Sequence, residues 1–321
     1  MKIRFGIIGA GRIAERFATV LGAAEGARLA AVASRDKSRS EAFARRFGSA
    51  KACDSYLDLI RDPEVDAVYI ALTHNFHYEY ARACLENGKA ILCEKPLVTT
   101  KAEAEALAAL AKSRKVLLVE AMWTRCIPAF RKAREWVREG RIGAPRLVEA
   151  AFCFKADYDP KDRLFDPKLA GGALFDAGVY PIEFATGILG ENPDSAAGVA
   201  HIGETGVDYF AAMSLGFPGG AVASLSCGLT AAVPRDARVY GESGSIAVYD
   251  FLGARKCELF DPEGKPVEAF EANFDDGFIF EIEHFADLYR RGETESDLIP
   301  LADSVACAGV FDELRKSWEA K

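Results

Sequence analysis

A strand that runs straight into a glycine-bracketed turn and then a helix restricts a chain to few folds, and residues 2–14, KIRFGIIGAGRIA, are such a stretch. Ile3, Phe5, Ile7 and Ile8 read as a buried parallel strand. Gly9-Ala10-Gly11 follows at once, and Ile13, Ala14, Phe17, Val20 and Leu21 then recur at helical spacing. Gly9, Gly11 and Ala14 fit the strand–turn–helix form of G-x-G-x-x-G/A, whose small residues allow the tight turn, the approach of a pyrophosphate and close helix–strand packing. Arg12 and Ile13 open the helix, where exposed N–H groups and the positive dipole end attract phosphate. An ordinary βα turn uses glycines too. Here a legible strand before and helix after favour the dinucleotide.

The chain continues in the same rhythm. Strands at residues 27–33, 65–72, 90–93 and 115–120 alternate with helical patterns at 37–47, from Thr73-His74-Asn75 through 85, and at 101–113. This alternation predicts an α/β fold with a doubly wound parallel sheet, whose ligands lie at the carboxyl ends of the strands. Gly9, Ser34, Thr73, Glu94, Lys95 and Glu120 all fall at such ends. After about Met122 the pattern changes. A helix over 127–139 and a strand over 146–154 precede strands separated by Gly, Pro and Asp turns between 196 and 269. These runs predict a large, mostly antiparallel sheet, and helices at 278–291 and 301–318 close the chain. The expected division is a dinucleotide-binding domain over 1–121 and a substrate-binding and oligomerisation domain over 122–321.

The end of the second strand selects the cofactor. An NAD site usually places Asp or Glu there for the ribose hydroxyls, whereas Ser34-Arg35, followed by Lys37 and Arg39, suits a 2′-phosphate. NADP is therefore expected. Asp36 leaves NAD open, and the cations could equally be the solvated start of a helix. The net charge of −8, from 40 basic and 48 acidic residues, argues against a general nucleic-acid surface. Eight scattered cysteines without C-x-x-C, no membrane-length apolar run and no visible signal peptide predict a cytoplasmic protein. His74 and His77 form H-x-x-H with no completing ligand cluster nearby, so no metal is expected.

Two groups could do chemistry. Lys95, between Glu94 and Pro96, can bond or pass a proton to a substrate oxygen, and desolvation would lower its pKa toward a useful range. Asp176 and Tyr180 stand four apart, on one face if their segment is an α-helix, after Gly171-Gly172 and around Gly178. Tyr180 could protonate an alkoxide. Equally, Asp176 could cap a helix and Tyr180 fill a core.

The combination of Gly9-Ala-Gly11-Arg-Ile-Ala14, Glu94-Lys95-Pro96 and Gly171 to Glu183 (GGALFDAGVYPIE) resembles the Gfo/Idh/MocA oxidoreductases over essentially the whole chain. The resemblance implies a Rossmann domain, a C-terminal sheet that often mediates a homodimer or higher oligomer, and Lys95 and Asp176 beside the nicotinamide. Many members carry His where this chain has Tyr180, and Asp where it has Glu183. Glu120-Ala-Met-Trp123-Thr-Arg125 together with Gly178-Val-Tyr180 is similar to the dimeric dihydrodiol dehydrogenase group, which includes NADP-dependent D-xylose dehydrogenases. By that similarity Trp123 lines a small-molecule substrate pocket with Phe152, Phe154 and Tyr180 as neighbours, and His77 lies near the cofactor. The expected activity is hydride transfer between nicotinamide and a carbinol or carbonyl carbon of a dihydrodiol, sugar or related polyol. NAD-linked polyol dehydrogenases, transient-oxidant glycosidases and non-enzymatic dinucleotide sensors remain the alternatives.

Overall fold

The computed structural model describes residues 2–48 and 50–319. Its contacts divide the chain into two compact units. The first comprises residues 1–98, 102–123 and 278–301, and the second 99–101, 124–277 and 302–321.

The first unit is built on a six-stranded parallel sheet. In chain order its strands are β1 (Ile3–Ile8), β2 (Ala27–Ala33), β3 (Lys51–Cys53), β4 (Ala67–Ile70), β5 (Ala90–Glu94) and β6 (Leu118–Ala121). Across the sheet the order is β3-β2-β1-β4-β5-β6, so strand order reverses between β1 and β4, where open α/β sheets bind ligands. The helices are α1 (Arg12–Leu21), α2 (Lys37–Arg46), α3 (Tyr56–Arg61), α4 (His77–Glu86) and α5 (Lys101–Arg114). Residues 101–114 straddle the two units. Strand β3 escapes the sequence reading because three residues carry too little periodicity.

Apolar faces drive the layering. Phe17 of α1 stacks on Tyr69 of β4 at 3.7 Å between ring centroids and meets the edge of Phe5 at 5.5 Å. All three rings are fully buried, each stabilising the fold by roughly 1.5–3 kcal/mol relative to exposure. A late helix, α9 (Phe278–Arg291), also belongs here: Phe285 packs on Phe5 at 5.3 Å. The short helix α6 (Trp123–Cys126) begins at the end of this unit.

The second unit holds an eight-stranded sheet and the helices α7 (Pro128–Arg138), α8 (Val179–Leu189) and α10 (Leu301–Glu319). Its strands are β7 (Pro145–Cys153), β8 (Ser195–Ile202), β9 (Asp208–Gly216), β10 (Val222–Gly228), β11 (Ala237–Gly241), β12 (Gly244–Tyr249), β13 (Lys256–Phe260) and β14 (Pro266–Glu271). The order is β14-β13-β12-β11-β7-β10-β9-β8, antiparallel except where β10 runs parallel to β7. Ten consecutive residues of α8, Val179 to Ile188, are buried, as expected of a helix covered all round. Directly before it, Leu174–Gly178 form a π-helical turn. The expectation that Asp176 and Tyr180 share an α-helical face is therefore corrected. The wider turn changes the angle between them, and no periodicity in five apolar-rich residues announces it.

Candidate active site

The nucleotide loop is shaped by two glycines for different reasons. Gly9 has φ +98°, and a Cβ there would lie 2.3 Å from the Ala71 carbonyl oxygen, so both backbone and neighbours demand glycine. Gly11 has ordinary φ, and a Cβ on it would meet no protein atom within 4 Å. Nothing within the protein requires glycine there; the missing Cβ leaves room in front of α1. That helix has no side-chain cap, so its first N–H groups, at Arg12 and Ile13, remain available to an anion. Ala14, fully buried, lets α1 lie close to the sheet. The loop thus fits the pyrophosphate of a dinucleotide.

At the end of β2, Ser34 is buried and Arg35 exposed. Asp36 is the N-cap of α2, accepting from the Ser38 N–H at 2.9 Å and the Ser38 hydroxyl at 2.7 Å. These bonds hold its carboxyl below the usual range. Its capping role accounts for an acid that had left NAD open. Arg39, exposed, donates from Nη2 to the Ala10 carbonyl at 2.9 Å and so bridges this corner to the glycine loop.

At the ends of β4 and β5 the expected residues are tied inward. Thr73 gives its hydroxyl to Asn75 Oδ1 at 2.7 Å, and neither the 3₁₀ turn at 74–76 nor α4 has a side-chain cap. His74, buried, packs edge-on to His77 at 5.8 Å. The His77 ring is fully buried between the Pro96 carbonyl, 2.8 Å from Nδ1, and the Leu72 carbonyl, 3.1 Å from Nε2. Burial lowers its pKa. In its neutral form the ring can donate to only one of these two carbonyls. Glu94 is buried, accepts a bond from the Tyr69 hydroxyl, and has its pKa raised by desolvation. Lys95, half-buried, follows it, with its N–H 3.3 Å from Glu94 Oε2.

Trp123 is half-buried and packs edge-on to Phe278 of α9 at 5.3 Å. The Arg16 guanidinium lies 4.8 Å from the Trp123 centroid and 4.0 Å from that of Phe278, close enough for cation–π attraction to both. Neither partner was legible in sequence. Arg16 reads as the exposed face of α1, and Phe278 is more than 150 residues from Trp123 in the chain.

In the second unit Tyr180 and Asp176 are both buried, at 9% and 7% exposure. Tyr180 meets the edge of Phe152 at 5.4 Å, and Phe152 lies 5.4 Å from Phe154, so these three expected neighbours form one aromatic cluster. Asp176 is paired with Arg163, Nη1 to Oδ1 at 2.8 Å. Arg163, which comes from the loop after β7, is a residue the sequence analysis did not single out. The preceding glycines are both forced: a Cβ on Gly171 would lie 2.7 Å from the Leu164 carbonyl oxygen, and Gly172 has φ +117°.

A parallel sheet with a phosphate-ready glycine loop, joined in one chain to an antiparallel sheet with a buried acid and tyrosine, defines a two-part dinucleotide-dependent oxidoreductase. Residues 3–122 match the family model described as oxidoreductase family, NAD-binding Rossmann fold, and residues 130–247 match the GFO/IDH/MocA C-terminal domain. The chain is 38% identical over 326 residues to trans-1,2-dihydrobenzene-1,2-diol dehydrogenase of Mus musculus, covering 99% of this chain and 97% of that one. The chain belongs to the Gfo/Idh/MocA oxidoreductase family. Among solved structures it is similar to a 3-ketoreductase from Actinomadura kijaniata in complex with NADP and TDP-benzene (TM-score 0.86, 29% identity, 98% of each chain). The fold is shared with an aldose-aldose oxidoreductase from Caulobacter crescentus (TM-score 0.87, 23% identity, 99% of this chain and 98% of that one).

Proposed function

We propose that the protein is an NADP-preferring dehydrogenase or reductase acting on a CH–OH group of a dihydrodiol, sugar or related polyol. The observation that carries this reading is the near full-length identity to a dihydrodiol dehydrogenase. Ser34-Arg35 and Arg39 at the end of β2, with Asp36 occupied as a cap, support the 2′-phosphate. In the proposed site Gly9 to Ile13 hold the pyrophosphate, and Ser34, Arg35 and Arg39 the 2′-phosphate. Residues 73–77 and Glu94 line the cofactor side. Bound NADP would supply the acceptor for the hydride that leaves the carbinol carbon. Lys95 or Tyr180 takes the hydroxyl proton, the other hydrogen-bonding the same oxygen, and Asp176 orients the substrate or Lys95. Trp123, Phe152 and Phe154 give the apolar surface that a dihydrodiol ring requires. The 3-ketoreductase has also been crystallised with a lysine or a tyrosine replaced, the residue types assigned here to the proton.

The same reading includes a homodimer or higher oligomer through the C-terminal sheet, supported by Val199, Ile202, Val222 and Tyr240, which its strands leave more than a third exposed. It also includes a cytoplasmic location, supported by eight buried cysteines that remain thiols. Among the described residues no helix is long and apolar enough to cross a membrane.

The test pairs binding with turnover. Titration with NADP and NAD is expected to show NADP preference, lost in Arg35→Ala. Lys95→Met is expected to abolish turnover of trans-1,2-dihydrobenzene-1,2-diol or D-xylose with NADP affinity retained. Equal binding of the two nucleotides would refute the cofactor assignment, and unchanged turnover in Lys95→Met the role of the lysine.

A further inference from the structure

The helical run from Leu174 to Leu189 carries both Asp176 and Tyr180, and it begins without a local cap: Ala173 supplies no side-chain acceptor. A helix start leaves N–H groups in need of one. The acceptor comes from another element. Asp208, the first residue of β9, accepts from the Leu174 N–H at 2.7 Å, 34 residues away in the chain, and the Ala173 N–H also favours the charged carboxylate. The turn is cut to fit it, because a Cβ on Gly172 would lie 2.3 Å from Asp208 Oδ1. The carboxyl is 8% exposed, and burial pushes its pKa up to about 7 against the opposing pull of these bonds and of Arg315 in α10.

A cavity of about 430 Å³ adjoins this end of the segment, lined by Gly171, Phe175, Asp208, Arg315 and Trp318 among others. On the cavity side the backbone is restrained by a hydrogen-bonded acid where a close-packed core would otherwise do so. The π turn that follows spans Leu174–Gly178. Returning it to the α register would rotate Asp176 about the helix axis relative to Tyr180, and the register is set by which N–H groups are bound at the start.

We propose that Asp208 is a positioning residue for the reaction, acting as a remote N-cap that fixes the start of the segment 172–180 and thereby the directions of Asp176 and Tyr180. This rests on the roles proposed above for those two residues. Asp208 itself is assigned no contact with substrate or cofactor.

The experiment compares Asp208→Ala, Asp208→Asn and Tyr180→Phe in the full-length protein, measuring kcat and KM for trans-1,2-dihydrobenzene-1,2-diol and D-xylose, NADPH affinity, and thermal melting. Loss of alignment in Asp208→Ala is expected to lower kcat roughly ten- to a hundredfold, with NADPH affinity changed less than about twofold because the cofactor loop is in the other unit. Asp208→Asn keeps an oxygen facing the Leu174 N–H and is expected to recover most of that loss. A purely stabilising role would lower the melting temperature and leave the kcat of the folded enzyme unchanged. That result, or an Asn variant as slow as the Ala variant, overturns the inference. Should Asp208→Ala not fold, Gly172→Ala, which presses a methyl group onto the same carboxylate, replaces it with the same expectation. Wild-type turnover in Tyr180→Phe would instead refute the reading of the site, independently of Asp208.

Discussion

Arg125 is buried to 1% exposure, and its removal should be among the most damaging single substitutions in the second unit. Its guanidinium donates from Nε and Nη2 to the Glu183 carbonyl of α8, at 2.9 and 2.7 Å. Nη2 also lies 2.9 Å from Glu183 Oε2, and Nη1 2.6 Å from Asp303 Oδ2 in α10. Glu183 is 0% exposed and Asp303 15%. Arg125→Met keeps the apolar stem and removes every donor. Two carboxylates then remain in a region where ions are strongly disfavoured, a loss of about 3–5 kcal/mol. For a chain of this size that corresponds to roughly 4–7 °C in melting temperature. Urea and thermal unfolding would measure it. Adding Glu183→Leu should recover much of the loss, because the cost lies in the stranded charge, whereas replacing a buried pair with apolar groups is often neutral. An Arg125→Met protein within about 1 kcal/mol of wild type, below the range for breaking a buried pair, would refute the reasoning. So would a double variant that loses the sum of the two single ones.

Three further outcomes are expected. Gly187→Ala should destabilise, although Gly to Ala inside a helix ordinarily stabilises by about 1 kcal/mol, because the new Cβ would lie 2.6 Å from Arg125 Nε and 2.8 Å from its Cζ; a gain of stability in urea unfolding would contradict this. Burial raises the Asp208 pKa from 3.8 to about 7, so between these values the folded state binds more protons than the unfolded one. Stability should therefore fall as pH rises through that window, by at most about 1.4 kcal/mol per pH unit. Arg315 also acts on this carboxyl, lowering its pKa, and Asp208 in turn raises that of the Cys227 thiol. The advantage of Asp208→Asn in urea unfolding should grow from pH 4 to 7 and then level off, and a constant difference would exclude the linkage. Arg39→Ala should weaken NADP binding roughly tenfold or more, the range for a charged hydrogen bond, and weaken NAD binding far less; equal losses would mean that Arg39 serves the glycine loop alone.

Much of the fold was legible because local patterns and global architecture agree. Residues 27–33 and 278–291 were read with the bounds the structure gives them, since each carries a clear period and a clear stop. The glycine loop and the end of β2 were singled out as small or polar residues at positions where periodicity breaks, and Asp176 and Tyr180 by their four-residue spacing. Short elements were missed: β3 has three residues, and β14 has Pro266 and two acids, Glu268 and Glu271, on an edge. The π turn was missed because its sequence is compatible with an α-helix.

What the sequence by itself determined is the succession of strands and helices, the parallel character of the first sheet and the chemistry available at its carboxyl ends. Side-chain period and glycine geometry act over a few residues, and those are present in any stretch of chain. Only the tertiary structure decided the partners. It brought α9 to the first unit, Phe278 and Arg16 to Trp123, Arg163 to Asp176, Arg125 to the backbone of α8, and Asp208 to the N–H of Leu174. Each of these contacts, apart from the 13-residue step from Arg163 to Asp176, spans dozens of residues or more. The polar contacts among them satisfy a donor or charge whose need is created by folding, and the aromatic ones join rings that only folding brings together, so no local pattern announces them.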